Sequence, residues 1–437
     1  MTGYSLKEIS EQLNTGEIPN IANYGNTYTK DEVYTKTEVL GSFGNLSSPL
    51  LDLPLKNSLA MKAGVGDVTF TRASTATYID RYGVLKYSAI DEPRFEKDGL
   101  LVEGASTNTL LNSADFSSWG QTNGTLNSGT TPDGIANNCY YIADTTTNEH
   151  KVYGGFGGVN YTANSSIAAS LFVKHNPLAV HKELRVRFYD NSGFAGDTVF
   201  SLVDFSHVAG YNLQVTATEL ANEWFRVVVT YTNTNDRTNL RFSFMEYSNG
   251  SISVAGDGIN GNWYAFPQLE ALPFATSYIP TTNSAVTRGD EICYATLFQN
   301  TPGDNIRTIS VKSKLLGINQ AGDNYIYSQV GLSNVMCIVR TTGNIDLYGT
   351  VRTQTIGYDP TEKLTIVQSS TDTSIKAFID GVNTATAINS VLPSNAGSGQ
   401  IVFGRNKLAV TNHKSYMHIT DFKIYDKALT PTEVALA

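Results

Sequence analysis

Few residues of this chain have types and spacing that could support chemistry. Residues 256–261 read Gly-Asp-Gly-Ile-Asn-Gly and match the G-x-G-x-x-G pattern of dinucleotide-binding turns. That pattern needs a following helix to meet the pyrophosphate, whereas here Trp263 and Tyr264 begin a strand-like stretch. We therefore interpret the segment as a glycine-rich hairpin. The sequence contains no G-x-S-x-G, Walker A or H-E-x-x-H motif, so it predicts no catalytic residue, no cofactor and no enzyme activity.

One loop offers oxygen ligands for a hard cation. Asp257, Asn260 and Asn262 carry carboxylate or amide oxygens of the kind that calcium prefers. No EF-hand pattern supports calcium there, so no metal site is predicted and these three residues are the candidate ligands. His413 and His418 are five residues apart on a predicted turn and strand, which is a poor spacing for a shared metal ion.

The elements that must position any site are β-strands. The chain has 437 residues, of which 41% are hydrophobic and 16% charged, with 37 Gly and 24 Tyr. This composition predicts an all-β protein, and a chain of this length is expected to form two or three domains. The order of the predicted elements along the chain predicts two antiparallel β-sandwich domains after a short, partly helical arm. The net charge of -9 argues against nucleic acid as a partner. Cys139, Cys293 and Cys337 are too far apart to suggest zinc or a disulfide framework, so we expect buried thiols.

Residues 1–66 are predicted to form an attachment or oligomerisation arm; a merely solvated leader is the alternative. An amphipathic helix over 5–13 is too small to be stable alone, so it needs a partner surface. Two copies of a six-residue repeat, 28–33 and 34–39, follow, each with a Thr-x-x-Glu capping box. The residues predicted to make the contacts are Leu6, Ile9, Leu13, Tyr28, Val33, Tyr34 and Val39. No secretory signal is visible and no apolar run approaches bilayer length, so we expect synthesis in a cytosol and no membrane insertion.

Residues 67–111 are predicted to be a linker segment packed on the sandwich that follows. Arg72, Arg94 and Glu103 are long charged side chains next to predicted strand ends. They suggest a site, but ion pairs that pin an irregular linker onto the sandwich are the favoured interpretation.

Residues 112–290 and 291–437 are predicted to be the two sandwiches. An aromatic-rich strand beginning at Trp263 is expected to close the first one and to end at Pro267, because proline interrupts a ladder. In the second, Asp380-Gly381 predicts a tight hairpin. Thr430, Pro431 and Glu433 predict a capped helical turn close to residue 437.

Several of these segments resemble bacteriophage virion proteins. Q-L-E at 268–270, T-S-Y-I-P-T at 276–281 and T-R at 287–288 are similar to the end of a carbohydrate-binding-module-like jelly roll found in such proteins. The string from F-T-R-A-S at 70–74 to G-L-L-V-E at 99–103 resembles the segment that precedes that jelly roll, and Y-T-K-x-E-V resembles elements of tail-fibre stalks. A concanavalin-like, laminin-G-like sandwich is resembled by two segments of the second domain: I-K-A-F-I-D-G at 375–381, and D-F-K-I-Y-D-K-A-L-T-P-T-E-V at 421–434.

The resemblance implies a bacteriophage virion protein, made in the bacterial host cytoplasm. A tail-fibre or receptor-binding component is the first expectation, a capsid decoration or head-fibre protein the alternative, and a glycan hydrolase a third class. Its expected partners are other virion proteins, sister chains in a homotrimer, and a host-surface glycan. Jelly rolls of this kind bind sugars through exposed aromatic rings, and the candidates, each of which could instead pack in the core, are Tyr189, Tyr231, Phe242, Trp263 and Tyr264.

Overall fold

The computed structural model describes residues 48–154, 160–191, 193–211, 213–232, 234–297, 306–330, 335–349, 351–355, 357–371, 373–388, 400–406 and 414–435. Within them the regular structure is almost entirely antiparallel β. The first strands are β1 (Leu51–Leu53), β2 (Gly66–Arg72), β3 (Ala76–Ile79), β4 (Leu85–Ser88), β5 (Arg94–Glu96), β6 (Gly99–Val102) and β7 (Ser106–Asn108).

The middle of the chain contributes fourteen strands and two short 3-10 helices, at Phe116–Ser118 and Ala221–Glu223. These strands are β8 (Gly120–Thr122), β9 (Gly124–Thr130), β10 (Ala136–Ala143), β11 (Asn148–Glu149), β12 (Lys151–Tyr153), β13 (Ser166–Lys174), β14 (Glu183–Asp190), β15 (Gly193–Ser201), β16 (His207–Gly210), β17 (Gln214–Glu219), β18 (Phe225–Thr232), β19 (Arg241–Tyr247), β20 (Ser253–Val254) and β21 (Asn262–Glu270).

The last part contributes twelve strands and one helical turn, α1 (Pro431–Val434). The strands are β22 (Val286–Arg288), β23 (Glu291–Leu297), β24 (Arg307–Leu315), β25 (Asn324–Val330), β26 (Met336–Val339), β27 (Ile345–Tyr348), β28 (Arg352–Thr355), β29 (Leu364–Ser370), β30 (Ser374–Ile379), β31 (Val382–Ile388), β32 (Gln400–Phe403) and β33 (Met417–Tyr425).

Two six-stranded sheets form the first sandwich. One, the covered sheet, has the order β17-β18-β13-β21-β10-β9; the other, the open sheet, has the order β16-β15-β14-β19-β12-β8. Alternate residues of both sheets meet in one core, in which Val186 and Phe188 from the open sheet pack with Leu171 and Val229 from the covered sheet. The predicted all-β sandwich fold is confirmed, and the period-2 alternation of these strands is its cause.

An eight-stranded and a seven-stranded sheet form the second sandwich. The first has the order β31-β30-β29-β24-β33-β6-β5 with β1 also paired to β33, and the second has the order β2-β23-β32-β25-β26-β27-β28. Their shared core joins Ile309, Val311 and Phe422 to Cys337 and Phe403. The hairpin predicted at Asp380-Gly381 connects β30 to β31, with φ of 48° and 82° at those two residues.

The strand pairing places the start of the described chain in the second sandwich. β1 and β6 pair with β33, and β2 pairs with β23 over all seven residues. The first sandwich is therefore an insertion, entered after β7 and left before β22, and these two strands pair with each other. Within 67–111, β2 and β6 pair with strands of the second sandwich, whereas the β3–β4 hairpin packs on the covered sheet of the first. The strand pairing therefore divides the chain differently from the predicted boundaries at residues 66, 111 and 290.

The predicted arm lies mostly outside the described residues. Only its last part, from residue 48, is described, and β1 belongs to the eight-stranded sheet. The seven predicted contact residues between Leu6 and Val39 are not among the described residues. Their role therefore stays a prediction.

A buried ionic cluster joins the two ends of the insertion. Arg94 contacts Glu103 and Glu291, both at 2.7 Å, Arg72 contacts Glu291 at 2.8 Å, and Arg288 lies 3.5 Å from Glu103. Burial alone would raise the pKa of Glu103, but Arg288, Arg94 and hydrogen bonds from Ser277 outweigh it and lower that pKa to about 2. The predicted ion pairs of Arg72, Arg94 and Glu103 are confirmed.

The segment after Trp263 connects this cluster to the first sandwich. The side chain of Gln268 donates to Glu270 at 2.7 Å and accepts from the Ile279 backbone at 2.6 Å. Ser277 donates to Glu103 through both its backbone nitrogen and its hydroxyl. The strand does not end at Pro267 as predicted: β21 continues to Glu270 after a register shift, and such a bulge accommodates a residue without an N–H.

Smaller predictions concern the thiols and the last helical turn. The three cysteines are free and buried, as predicted. Burial raises the pKa of Cys139 to about 12, which makes it a poor nucleophile. Thr430 and Glu433 form the predicted reciprocal capping box, with Pro431 at the first helical position.

Candidate functional site

The outward faces of the two sheets of the first sandwich differ in what covers them. The covered sheet carries a second apolar cluster in which Leu85 of the β3–β4 hairpin packs with Phe172, Trp224, Phe266 and Tyr278. The open sheet instead leaves several outward side chains half-buried or exposed: Lys151, Tyr153, Arg187, Tyr189, Phe194 and Arg241. A surface site on this sandwich is therefore expected on the open sheet.

Strand β14 shows how the sequence builds this face. Its residues alternate between buried and half-buried along the whole strand. Leu184, Val186 and Phe188 point into the core, so Arg187 and Tyr189 point to the opposite side. Alternation thus places a cation and an aromatic ring two residues apart on one exposed face.

Strand register aligns these residues into rows across the open sheet. In one row Tyr189 is paired with Phe194 on β15 and with Arg241 on β19. In the next row Arg187 is paired with Asp197 and with Ser243, and Ser243 is paired with Tyr153 on β12. Neighbouring strands lie about 4.8 Å apart, so these residues form a continuous surface.

A groove of about 410 Å³ runs over these rows. Ser243 and Met245 are nearly fully buried and form its floor. The other residues that line it include Lys151, Tyr153, Arg187, Tyr189, Phe194 and Arg241. The groove is therefore lined by aromatic rings and long cationic side chains.

Each aromatic ring of the groove has a cation beside it. Lys151 Nζ lies 5.3 Å from the centre of the Tyr153 ring. The guanidinium carbon of Arg187 lies 5.2 Å from the Phe194 ring centre, and that of Arg241 lies 5.2 Å from the Tyr189 ring centre. Such cation–aromatic contacts hold the rings in place.

Two of the rings remain substantially open to solvent at one end of the groove. Phe194 is 43% exposed and Tyr211, which follows β16, is 58% exposed. Their rings stack with centres 6.1 Å apart and an interplanar angle of 29°. An exposed stacked pair offers a flat apolar surface that an incoming ring can extend.

The charges of the groove are unevenly balanced. Arg185 is paired with Asp197, and Lys151 lies 2.5 Å from Glu149. Arg241 donates to the Asn191 side-chain oxygen at 2.6 Å. Within the described residues, no carboxylate lies within 4.0 Å of the Arg187 guanidinium, and its buried Nε has no hydrogen-bond partner.

The phenol of Tyr189 stays neutral. Burial raises its pKa, although the nearby Arg241 opposes this shift.

The predicted aromatic candidates are distributed over both sheets and the core. Tyr189 lies in the groove. Tyr231 is a correction, because it is buried in the core and stacked on Phe188 with ring centres 5.2 Å apart. Tyr264 is a second correction, since it is 1% exposed and donates to Glu246 at 2.9 Å.

Of the other two candidates, Trp263 lies away from the groove and only the backbone of Phe242 is described. Trp263 is half-buried on the covered sheet, where it packs on Tyr140 with ring centres 4.6 Å apart. Lys174 Nζ lies 5.4 Å from its ring centre. The backbone of Phe242 pairs with Phe188, but its side chain lies outside the described structure. Trp263 therefore stays a separate candidate, and the prediction for Phe242 stays untested.

The three candidate oxygen ligands for a cation make hydrogen bonds within the protein. The Asp257 carboxylate accepts hydrogen bonds from the backbone of Ile259 and Asn260 and from the Asn260 side chain. Asn262 is buried, and its side-chain oxygen contacts His175 Nδ1 and accepts from the Asn176 backbone, so the three candidate ligands do not converge on one point. In the described part of the chain, no group of three or more His, Cys, Asp or Glu is arranged to hold a metal ion.

Sequence reasoning missed most of the groove. It did not select Tyr153, Arg187, Phe194, Tyr211 or Arg241. The alternation Leu184-Arg-Val-Arg-Phe-Tyr189 was a usable signal, because polar residues between core residues of a strand must share the opposite face. The contribution of Phe194 and Tyr211 depends on strand register, which no local pattern shows.

A larger concavity, of about 700 Å³, lies between the two sandwiches. Phe274 and Tyr278 in its wall are buried. It presents the threonines of β17 and a pair formed by Glu96 and His418 at 2.8 Å. This cleft therefore lacks the exposed stacked rings that distinguish the groove.

Comparisons with known proteins do not show a family. No protein-family model matches the chain, and no curated protein matches it. Among solved structures, it is similar to a heptameric SAP-like pentraxin from Limulus polyphemus, with 15% identity over 32% of this chain and 73% of that one and a TM-score of 0.28. A botulinum neurotoxin serotype D binding domain is 15% identical over 33% of this chain and 40% of that one, with a TM-score of 0.27.

A sialidase from Trypanosoma rangeli, in complex with sialic acid, is 12% identical over 68% of this chain and 59% of its own, with a TM-score of 0.26. Similarities with TM-scores this low assign neither a fold nor a function to this chain. The fold described above is therefore based on the pairing of its own strands. In the described residues, no helix is long and apolar enough to cross a membrane.

Proposed function

We propose that this chain is a non-enzymatic glycan-binding protein and that the groove on the open sheet holds the glycan. The supporting observation is the set of aromatic rings that line or border the groove and are only partly covered. Phe194 and Tyr211 form the exposed end, and Tyr189 and Tyr153 continue across the sheet. Such rings stack on the apolar faces of sugar rings, while neighbouring cations donate hydrogen bonds to sugar hydroxyls.

The dimensions of the groove fit a short oligosaccharide. Tyr153 on β12 and Phe194 on β15 are separated by two intervening strands, β19 and β14. Three interstrand spacings correspond to roughly 14 Å. A ligand longer than one sugar ring would therefore contact several of the aromatic side chains together, which favours a chain over a monosaccharide.

Binding without cleavage is the proposed mode of action. Glycoside hydrolysis uses two carboxyl groups placed on either side of the scissile bond. The carboxylates next to the groove, Asp197 and Glu149, are each paired with a cation of the same sheet. To test for cleavage, the full chain is incubated with a polysaccharide that it binds, and new reducing ends are assayed. The appearance of new reducing ends would contradict binding without cleavage.

We also propose that the protein belongs to a bacteriophage virion, as a receptor-binding tail component. The support is the sequence resemblance at 70–103, 268–288 and 375–381. Weak contacts at each groove would then be strengthened by several copies on one particle.

We propose a homotrimer as the assembly. Light scattering of the full chain measures the mass of the particle in solution, and a 47.4 kDa species would contradict self-association.

Glycan binding is tested with an array of oligosaccharides probed by the full chain. We expect Phe194→Ala and Tyr211→Ala to lower the affinity for bound glycans about tenfold, because aromatic stacking is lost. Tyr82→Ala is the matched control, since Tyr82 is 78% exposed on the β3–β4 turn, away from the groove. Equal losses in all three variants, or no glycan bound by the parent chain, would overturn the proposal.

A further inference from the structure

We infer that the groove selects glycans that carry a negatively charged group, and that Arg187 holds that group. The inference rests on the proposed glycan-binding function and names the class of ligand. It depends on the charge of the groove, on the surroundings of Arg187, and on the position of Arg187 relative to the aromatic rings.

The groove is positively charged although the chain is negatively charged. Three cations, Lys151, Arg187 and Arg241, line the groove, and no carboxylate is among its described lining residues. Lys151 is paired with Glu149, so the local charge is 3 − 1 = +2, whereas the whole chain carries -9. A concave site of one sign attracts ligands of the opposite sign and raises their local concentration. A neutral sugar would gain nothing from this charge.

Arg187 has no carboxylate within 4.0 Å of its guanidinium among the described residues. Arg185, two residues earlier on the same face, is paired with Asp197. The Arg187 guanidinium instead lies over the Phe194 ring at 5.2 Å, and its Nε is buried without a hydrogen-bond partner. A partly desolvated guanidinium without a neighbouring anion is unfavourable. An anionic ligand would supply the negative charge that the protein does not place there.

The geometry brings that cation next to the stacking surface. Arg187 and Tyr189 are on the same face of β14, about 7 Å apart along the strand. A sugar ring stacked on Phe194 or Tyr189 therefore places its substituents beside the guanidinium. The planar fork of arginine binds carboxylate and sulfate groups in the same bidentate manner, so either group on the sugar fits.

A charged sugar fits better than a nucleic acid. A long polyanion would extend beyond the groove and meet the surface of a chain with 40 acidic and 31 basic residues. Nucleic-acid binders instead carry extended basic surfaces that neutralise many phosphates. The localised positive charge is suited to one or two anionic groups on a short chain.

The test compares charged oligosaccharides with their uncharged counterparts. An array carries uronic-acid and sialylated oligosaccharides beside carboxyl-reduced forms, and sulfated oligosaccharides beside desulfated forms. We expect the full chain to bind at least one charged series about tenfold more tightly than its uncharged form, as a charge-assisted hydrogen bond provides. The series that binds identifies carboxylate or sulfate as the group.

The variants Arg187→Gln and Arg187→Lys assign the effect. In Arg187→Gln the affinity ratio between charged and uncharged forms should fall to near one, because the charged form loses more affinity than the uncharged form does. Arg187→Lys should keep part of the ratio, because it keeps the charge and loses the fork. Arg81→Gln is the charge-matched control on an exposed turn outside the groove, and thermal melting confirms that each variant is folded.

The outcomes separate this inference from the proposed function. Absence of glycan binding contradicts both. Equal binding of charged and uncharged forms, or an equal loss for both in Arg187→Gln, contradicts only the selectivity for charge. Tighter binding of single-stranded RNA than of any glycan at physiological salt would also overturn the inference.

Discussion

Arg94 and Glu291 are 197 residues apart in the chain, yet the Arg94 Nε donates to Glu291 Oε1 at 2.9 Å. Arg94 begins β5 and Glu291 begins β23, so every strand of the first sandwich lies between them. Both side chains are fully buried. Because buried charges are tolerated only when they are paired, the native structure of the second sandwich depends on the two ends of the insertion being held together.

Replacing Arg94 with methionine tests how much this cluster stabilises the protein. Arg94→Met leaves Glu103 and Glu291 buried with fewer cations, so we expect the free energy of unfolding to fall by about 3–5 kcal/mol. Chemical denaturation of the full chain measures it. The control is Arg352→Met, which removes a half-exposed arginine 3.5 Å from Asp346 and should change stability by about 0–1 kcal/mol. Similar losses in both variants would contradict a special role for the cluster.

Acid should destabilise the protein through Glu103. Its pKa is about 2 in the folded protein, against 4.5 for the ordinary carboxyl. A carboxyl with a lowered pKa contributes stability that is present above pH 4.5 and is lost as the pH falls toward 2. In urea denaturation measured between pH 6 and 2.5, the midpoint urea concentration should therefore fall as the pH is lowered. Glu103→Gln should be less stable at pH 6 and show a shallower slope; an unchanged slope would show that other groups cause the acid sensitivity.

Local sequence patterns predicted the fold class but not the way the sandwiches are nested. Alternation in β14 or β18 identifies a half-buried strand, and Asp380-Gly381 identifies a hairpin, because both signals act over a few residues. The pairing of β2 with β23 joins residues more than two hundred positions apart, and its register depends on two complementary edges. A sequence that resembles a linker can therefore supply strands to a distant sheet.

The candidate site was predictable only in part for a similar reason. Tyr189 could be selected from its strand, and the same alternation would have added Arg187. Tyr231 has an equally exposed-looking aromatic pattern in sequence, but its side of β18 faces the core. Which face is buried depends on how the second sheet packs, and this information is absent from a single strand.

Glu246 should make stability fall as the pH rises from about 4.5 to 8. Burial raises its pKa to about 8, although a hydrogen bond from Tyr264 opposes the shift. Between pH 4.5 and 8 the folded state holds a proton that the unfolded state has released, so the free energy of unfolding decreases as pH rises through this window. Glu246→Gln keeps an acceptor for Tyr264 and should remove that decrease, so it becomes more stable than the parent at pH 8.

Unfolding by urea at pH 5, 6.5 and 8 checks the prediction for Glu246. The difference between parent and variant isolates this carboxyl from other titrating groups. Glu219→Gln, on the exposed edge strand β17, is the matched control and should follow the parent curve. A parallel curve for Glu246→Gln would mean that Glu246 is ionised in the folded protein.

Gly120 should control the position of the Tyr153 ring in the groove. The two residues are paired between β8 and β12, and a Cβ on Gly120 would lie 2.5 Å from Tyr153 Cζ. Gly120→Ala therefore forces the ring away from the sheet, and we expect glycan affinity to fall several-fold while stability changes by less than about 1 kcal/mol. Titration with the glycan of the array that binds most tightly measures affinity, and urea denaturation measures stability.

The control is Gly289→Ala, whose added Cβ meets only ordinary contacts from 3.4 Å and which should leave affinity unchanged. If Tyr153→Ala lowers affinity but Gly120→Ala does not, the glycine does not set the ring position; if neither does, Tyr153 is not part of the binding surface.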